Sequence, residues 1–301
     1  MTWTLGGLLR SYIQLTKPTI VLLVAITGLC AMAAEGSLFE QPIEMLLILL
    51  AIVVAAGAAN SLNQFVDRDI DAVMERTRSR RPLPQSQLSP NHALAFGLIT
   101  SVISTFYLWW AANAQAALIS LGTILFYVLI YTLWLKRRHH YNIVIGGAAG
   151  ATAPLIASAA YQDKISAMAW FMFLLIFFWT PPHFWALALA IKDQYEKVKI
   201  PMLPNVRGDR RTIIEIYAYT VFLLPLTLVP IALGMLGWLA ALLLLAVWAW
   251  YMKVTVERLK EKTVPAYRKL FVVSIFYLFL SFVILGLDGM IQYFQGLWVG
   301  L

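Results

Sequence analysis

The chain has 301 residues, of which 61% are hydrophobic and only 13% charged, and its formal net charge is +8. That composition lies outside the soluble range and excludes an ordinary globular domain. The reading is an all-α polytopic membrane protein, one integral-membrane domain over residues 1–301, because no polar linker divides the chain. The single cysteine, Cys30, excludes intrachain disulfides and cysteine-based metal sites.

The opening residues, MTWTLGGLLRSYIQLTKP, show no apolar core followed by a small-residue cleavage site, so no cleaved signal peptide is expected. A spanning helix needs about 20 apolar residues. Nine stretches qualify: 18–37, 43–66, 91–112, 115–135, 143–161, 166–190, 213–233, 236–254 and 270–294. Pro18 opens the first and Ser89-Pro90 the third, which suits proline at a helix start. Trp109 and Trp110 fit an interfacial aromatic belt. The small-residue run GGAAGATAP (146–154) allows close approach of a helix or a flat ligand, with plain helix packing the simpler reading. In FFWTPPHFWALAL (177–189), Pro181 and Pro182 are expected to kink the sixth span, and His183 beside them at membrane depth favours a site.

The connections test this count. Residues 1–17, 67–90, 136–142, 191–212 and 255–269, with Lys253, carry 22 of the 23 Lys and Arg residues; the other side keeps only Lys164. By the positive-inside rule the first set is cytoplasmic, with the N-terminus in and the C-terminus out. The positive charge therefore follows membrane topology, and no nucleic-acid partner is expected. The two largest mixed-charge loops, 67–90 and 191–212, lie four helices apart. That spacing points to a duplicated four-helix unit, with nine transmembrane helices around a central cavity open to the cytoplasmic side.

The loop after the second span holds the chemistry. Asn63, Asp67, Asp71 and Glu75 recur every fourth residue. Four residues of helix turn about 400°, so each step drifts only about 40° and the four make one stripe, while Asp69 points away. Like charges one turn apart repel by a few tenths of a kcal/mol, so a cation is expected to offset them. Carboxylate oxygens suit Mg²⁺, which is commonly shared between one or two carboxylates and substrate phosphates. Asn63 to Asp71 spans about 12 Å, too far for one ion but suited to ions bridging a diphosphate. An oily cavity beside such a site implies an isoprenyl diphosphate.

The run N-x-x-x-D-x-x-x-D at Asn63, Asp67 and Asp71, continuing as DRDIDAVMERTRSRRPLP, resembles the intramembrane aromatic prenyltransferase (UbiA-type) superfamily. With LTKPTI (15–20), YTLWLKRRHHYNIVIGG (131–147), TPPHFWALAL (180–189) and KDQYEKVKIPMLPNVRG (192–208), the chain is similar to the protohaem IX farnesyltransferases within it. The resemblance implies transfer of the farnesyl group of farnesyl diphosphate to a vinyl group of haem b, giving haem O in a bacterial inner membrane. It also implies haem A synthase or terminal-oxidase assembly factors as downstream partners. It assigns Asn63, Asp67, Asp71 and Asp193 to Mg²⁺, and Arg76, Arg78, Lys136, Arg137, Lys197 and Lys199 to the diphosphate. His183 falls to the haem side, as iron ligand or water-positioning base, ahead of His139 and His140. Arg80, Arg81 and Arg207 fall to the haem propionates. Two departures stand out: Gln64 where quinone-type relatives carry Asp, and a second loop with only Asp193 and Glu196 before Lys197 and Lys199. Metal binding is thus expected to lean on the first loop. The same fold acting on a quinone precursor or chlorophyllide is the alternative. A carrier, or a haem-binding assembly subunit, accounts less well for acids at a helix mouth among arginines.

Overall fold

The computed structural model describes residues 5–162 and 164–296, and among these described residues every regular element is a helix. The two chain ends, whose sides the charge pattern assigns, lie outside them. The ten long helices are α1 (Leu5–Leu15), α2 (Pro18–Ala34), α3 (Pro42–Val66), α4 (Pro90–Ala111), α5 (Ala114–Arg138), α6 (Asn142–Gln162), α7 (Ala167–Ala190), α8 (Leu203–Ala232), α9 (Trp238–Glu261) and α10 (Val264–Phe294). Eight of them are long and apolar enough to cross a membrane, and α1 with α2, bent by 58°, make a ninth candidate. Each of the nine expected spans falls on one helix from α2 to α10. Apolar runs rather than helix ends set the sequence boundaries, so α8 starts nearly three turns and α10 nearly two turns earlier than expected, in polar sequence.

Several helices are less regular than hydropathy alone implies. The first span stops at Ala34, and Gly36 turns the chain with φ 75°. The α5 helix carries a π-helical segment over Phe126–Leu135. The α6 helix is interrupted between Gly150 and Ala153, where Pro154 has no N–H to continue the ladder. Within α8, Gly208 leaves the helical region with φ 78°. The α7 helix runs on through Pro181 and Pro182, where two N–H donors are missing from its ladder. Neighbouring helices and hydroxyl side chains sustain such helices in membranes. Here α7 is packed on α6, α8 and α10, and Thr180 donates to the Ile176 carbonyl at 2.8 Å.

Packing follows the repeated pattern: α3 lies against α4, α7 lies against α8, and α10 closes the bundle by packing on α2, α7 and α9. Buried positions are rich in small and hydroxyl residues, whereas Leu98, Val102, Phe106, Leu239 and Leu242 face outward. That inversion of the soluble pattern is what a lipid surround selects, since tails offer no drive to bury Leu. The α2–α10 contact brings backbone against backbone: a methyl group built on Gly289 would stand 2.4 Å from the Ala34 Cα.

Candidate active site

The α3 helix ends at Val66, but the hydrogen bonds Asp67 N to Asn63 O and Asp71 N to Asp67 O, each 2.9 Å, keep helical spacing through its cap. Asn63, Asp67 and Asp71 therefore share one face, and all three are buried. At Met74 the backbone turns extended, with φ −72° and ψ 121°. Glu75 consequently leaves the stripe, becomes exposed and pairs with Lys197 at 3.1 Å. Asp69 points outward, as expected, and Arg137 grips both its oxygens at 2.8 Å. That guanidinium holds the Asp69 carboxyl below the usual range.

Three cations close on the buried acids. Lys136 pairs with Asp67 Oδ2, Arg81 with Asp71 Oδ2, and Lys17 donates to Asn63 Oδ1. Asn63 Nδ2 donates to Asp67 Oδ2 at 3.0 Å and to Thr132 Oγ1 at 2.9 Å, which fixes the amide with its oxygen turned to Lys17. Asp67 Oδ1 has no hydrogen-bond partner although it is buried; Arg137 Nη2 is 4.0 Å away. Gln64 donates to the carbonyls of Gln14 and Leu15, at 3.1 and 2.7 Å, and so ties α3 to the α1–α2 corner that presents Lys17. Lys17 itself adopts the left-handed conformation, φ 57° and ψ 70°. Such strain costs about 1–3 kcal/mol and persists where the surroundings enforce it.

This donor set fits Mg²⁺. It offers hard oxygens only, two carboxylates and an amide, and one carboxylate oxygen stands orphaned. Among the described residues no group of three or more His, Cys, Asp or Glu side chains forms a closed cage. An ion here needs further oxygens from elsewhere, which is how Mg²⁺ behaves when it shares substrate phosphates.

The remaining expected residues distribute unevenly. Arg76, Arg78, Arg80, Asp193, Lys197, Lys199 and Arg207 are exposed, outside the buried cluster. The two polar loops nevertheless meet, through Lys197–Glu75 and through the Arg76 N–H to Gln194 Oε1 at 3.1 Å. Arg81, assigned above to a propionate, is ion-paired with Asp71 instead of standing free. Tyr127 and Tyr131, from the π-helical segment, stack with centroids 5.4 Å apart. A Cβ on Gly146 would lie 2.2 Å from the Tyr131 ring, so the glycine in the small-residue run seats that tyrosine. His139 and His140 stack on each other at 4.8 Å in the loop before α6. His183 is buried in α7, with Nδ1 2.6 Å from Ser274 Oγ of α10. Sequence reasoning did not single out Lys17 or Thr132. Lys17 had a signal, a cation just before the proline that opens a span; Thr132 had none.

The helical bundle of eight or nine candidate spans thus carries a buried oxygen cluster ringed by cations where α3 ends. The chain belongs to the UbiA prenyltransferase family, whose model matches residues 21–286. It is 46% identical over 286 residues to the "Protoheme IX farnesyltransferase" of Gloeobacter violaceus, covering 95% of this chain and 93% of that one. It is 42% identical over 297 residues to the enzyme of the same name from Acidiphilium cryptum, covering 95% and 93%. Among solved structures, a digeranylgeranylglyceryl phosphate synthase superposes with a TM-score of 0.78 at 17% identity, covering 94% of this chain and 99% of that one. A UbiA homolog from Archaeoglobus fulgidus bound to GPP and Mg²⁺ gives 0.67 at 16% identity, covering 91% and 99%.

Proposed function

We propose that the protein transfers the farnesyl group of farnesyl diphosphate to a vinyl group of haem b, with addition of water, releasing haem O and diphosphate. The observation that carries this reading is the near full-length identity, 46% over 95% of the chain, to a relative named for that reaction. Asn63, Asp67 and Asp71 would hold Mg²⁺, which would neutralise the departing diphosphate. Lys136 and Arg81 balance the two acids, and Lys17 stands beside them on Asn63. Toward a bound diphosphate Arg81 would serve as a fork and the lysines as point charges. Arg76, Arg78, Lys197 and Lys199 add positive potential from the two loops above. The C–O bond of the allylic carbon breaks and its electron pair leaves with diphosphate. The vinyl π pair then forms the new C–C bond, and water adds to the resulting cation next to the porphyrin and loses a proton. His183 serves the haem side.

The distribution of basic loops supports a bacterial cytoplasmic membrane with this site on the cytoplasmic side, around a central cavity, N-terminus in and C-terminus out. The test is mass analysis of products after incubating purified protein with farnesyl diphosphate, Mg²⁺ and either haem b or 4-hydroxybenzoate. Haem O from the first and nothing from the second is expected. A prenylated benzoate, or no haem product, sinks the assignment of acceptor.

A further inference from the structure

The α7 and α10 helices build a closed seat around the His183 imidazole. Trp179 and Phe271 each stack on it with centroids 4.3 Å away and planes 21° and 25° from parallel. Two parallel rings at that distance must lie on opposite faces, so only the edges of the imidazole remain for chemistry. One edge carries Nδ1, 2.6 Å from Ser274 Oγ. Ser274 is itself held: its hydroxyl donates to the Phe271 carbonyl at 2.6 Å, and its carbonyl accepts the Trp179 indole N–H at 2.7 Å.

Proton counting selects one tautomer. With the proton on Nδ1, His183 donates to Ser274 and Ser274 donates to Phe271, so both protons are used. With the proton on Nε2, the serine must turn its only proton to Nδ1 and gives up its bond to the Phe271 carbonyl. The Nδ1–H tautomer therefore keeps one more hydrogen bond, and it leaves Nε2 as the neutral ring nitrogen that a metal ligand offers.

We infer that Ser274 is a positioning residue for His183, accepting Nδ1–H so that Nε2 keeps the lone pair that takes the iron of the haem substrate. The assignment to iron rests on the haem reading above; the tautomer does not. A partner on the far nitrogen fixes the ring and raises its basicity, and loss of such a partner typically costs 10–100-fold in affinity for the metal.

The test begins on the full chain labelled with ¹⁵N-histidine in detergent micelles, without haem, the His183 signals being assigned by their loss in His183→Gln. Nδ1–H alone is expected in the wild type, an Nε2–H form should appear in Ser274→Ala, and Ser274→Thr should restore the original pattern. Nε2–H in the wild type, or a spectrum indifferent to Ser274→Ala, overturns the inference. Haem b is then titrated in. Ser274→Ala is expected to raise the haem Kd about tenfold or more, with threonine rescuing it and the KM for farnesyl diphosphate unmoved. Equal haem Kd in wild type, Ser274→Ala and His183→Ala overturns the assignment to iron. Loss of haem farnesylation as such is read separately, by product mass.

Discussion

Asp67 is fully buried, paired with Lys136 and bonded by Asn63, yet keeps one oxygen without a hydrogen-bond partner. In the proposed reaction a metal ion would complete that half-satisfied carboxylate. Asp67→Asn is expected to lower turnover on the order of 100-fold or more, because metal stabilisation of a leaving group is worth several kcal/mol. Breaking the buried pair also leaves Lys136 uncompensated, at about 3–5 kcal/mol. The double variant Asp67→Asn with Lys136→Met separates the two effects: folded yield should recover while turnover stays low. Recovery of turnover would deny Asp67 its role with metal. The arginines after the stripe are expected to diverge. Arg81 reaches Asp71 whereas Arg78 is exposed, so Arg81→Ala should raise the KM for farnesyl diphosphate at least tenfold and Arg78→Ala much less. Similar effects from both would mean that the loop acts only through its summed charge. The acid series was legible in sequence because its partners share one helix face. Lys17, Thr132 and Ser274 were not, since they meet Asn63 or His183 across 46, 69 and 91 positions of chain, distances over which no local period runs.

At the scale of elements, the spans were legible because lipid exposure forces long apolar runs, and their internal irregularities were not, because apolar runs read alike in α and π geometry. The π-helical stretch of α5 is where this matters. It carries Tyr131 against Gly146 and Thr132 against Asn63, in line with the tendency of π turns to mark functional sites. Gly146→Ala is expected to push the Tyr131 ring aside, at an overpacking cost of about 1–3 kcal/mol. Turnover should fall while the farnesyl diphosphate KM changes little; wild-type kinetics would show that this seat is dispensable. At the opposite end of the bundle, the turn after α2 buries Glu35 against Ser166, the N-cap of α7. Burial pushes the Glu35 carboxyl up to about 7. A carboxyl raised in the native state binds its proton more readily there than in the unfolded chain. Its stabilising share is therefore present at pH below about 4.5 and is lost as pH rises through about 7. Thermal midpoints in detergent should show the wild type losing stability relative to Glu35→Gln between pH 5 and 8. A constant difference across that interval would mean Glu35 does not titrate there.

For the molecule as a whole, the charge asymmetry is the quantity that turns a helical bundle into an oriented one. The helices carry apolar surface on their outer sides from end to end, so lipid contact alone does not distinguish the two ends. What differs is the connections. The stretch after α3 and the stretch after α7 meet through Lys197–Glu75 and Arg76–Gln194, so both basic loops gather at one end, over the acid cluster. Lys164 sits between α6 and α7, in the only connection on the other side to carry a basic residue. Orientation can be read directly because Cys30 is the only cysteine, so a Cys30→Ser background carries no other thiol. In that background Arg78→Cys and Lys164→Cys place single thiols at exposed positions in opposite sets of connections. With a membrane-impermeant maleimide, Lys164→Cys should be labelled in intact spheroplasts, and Arg78→Cys only in inverted vesicles. Each cluster of Lys and Arg resists translocation, so the reverse pattern would require the basic end to have crossed the membrane. It would also place the metal–diphosphate site on the side away from the cytoplasm. Labelling of both positions in one preparation would instead break the parity of the spans and remove one of the nine.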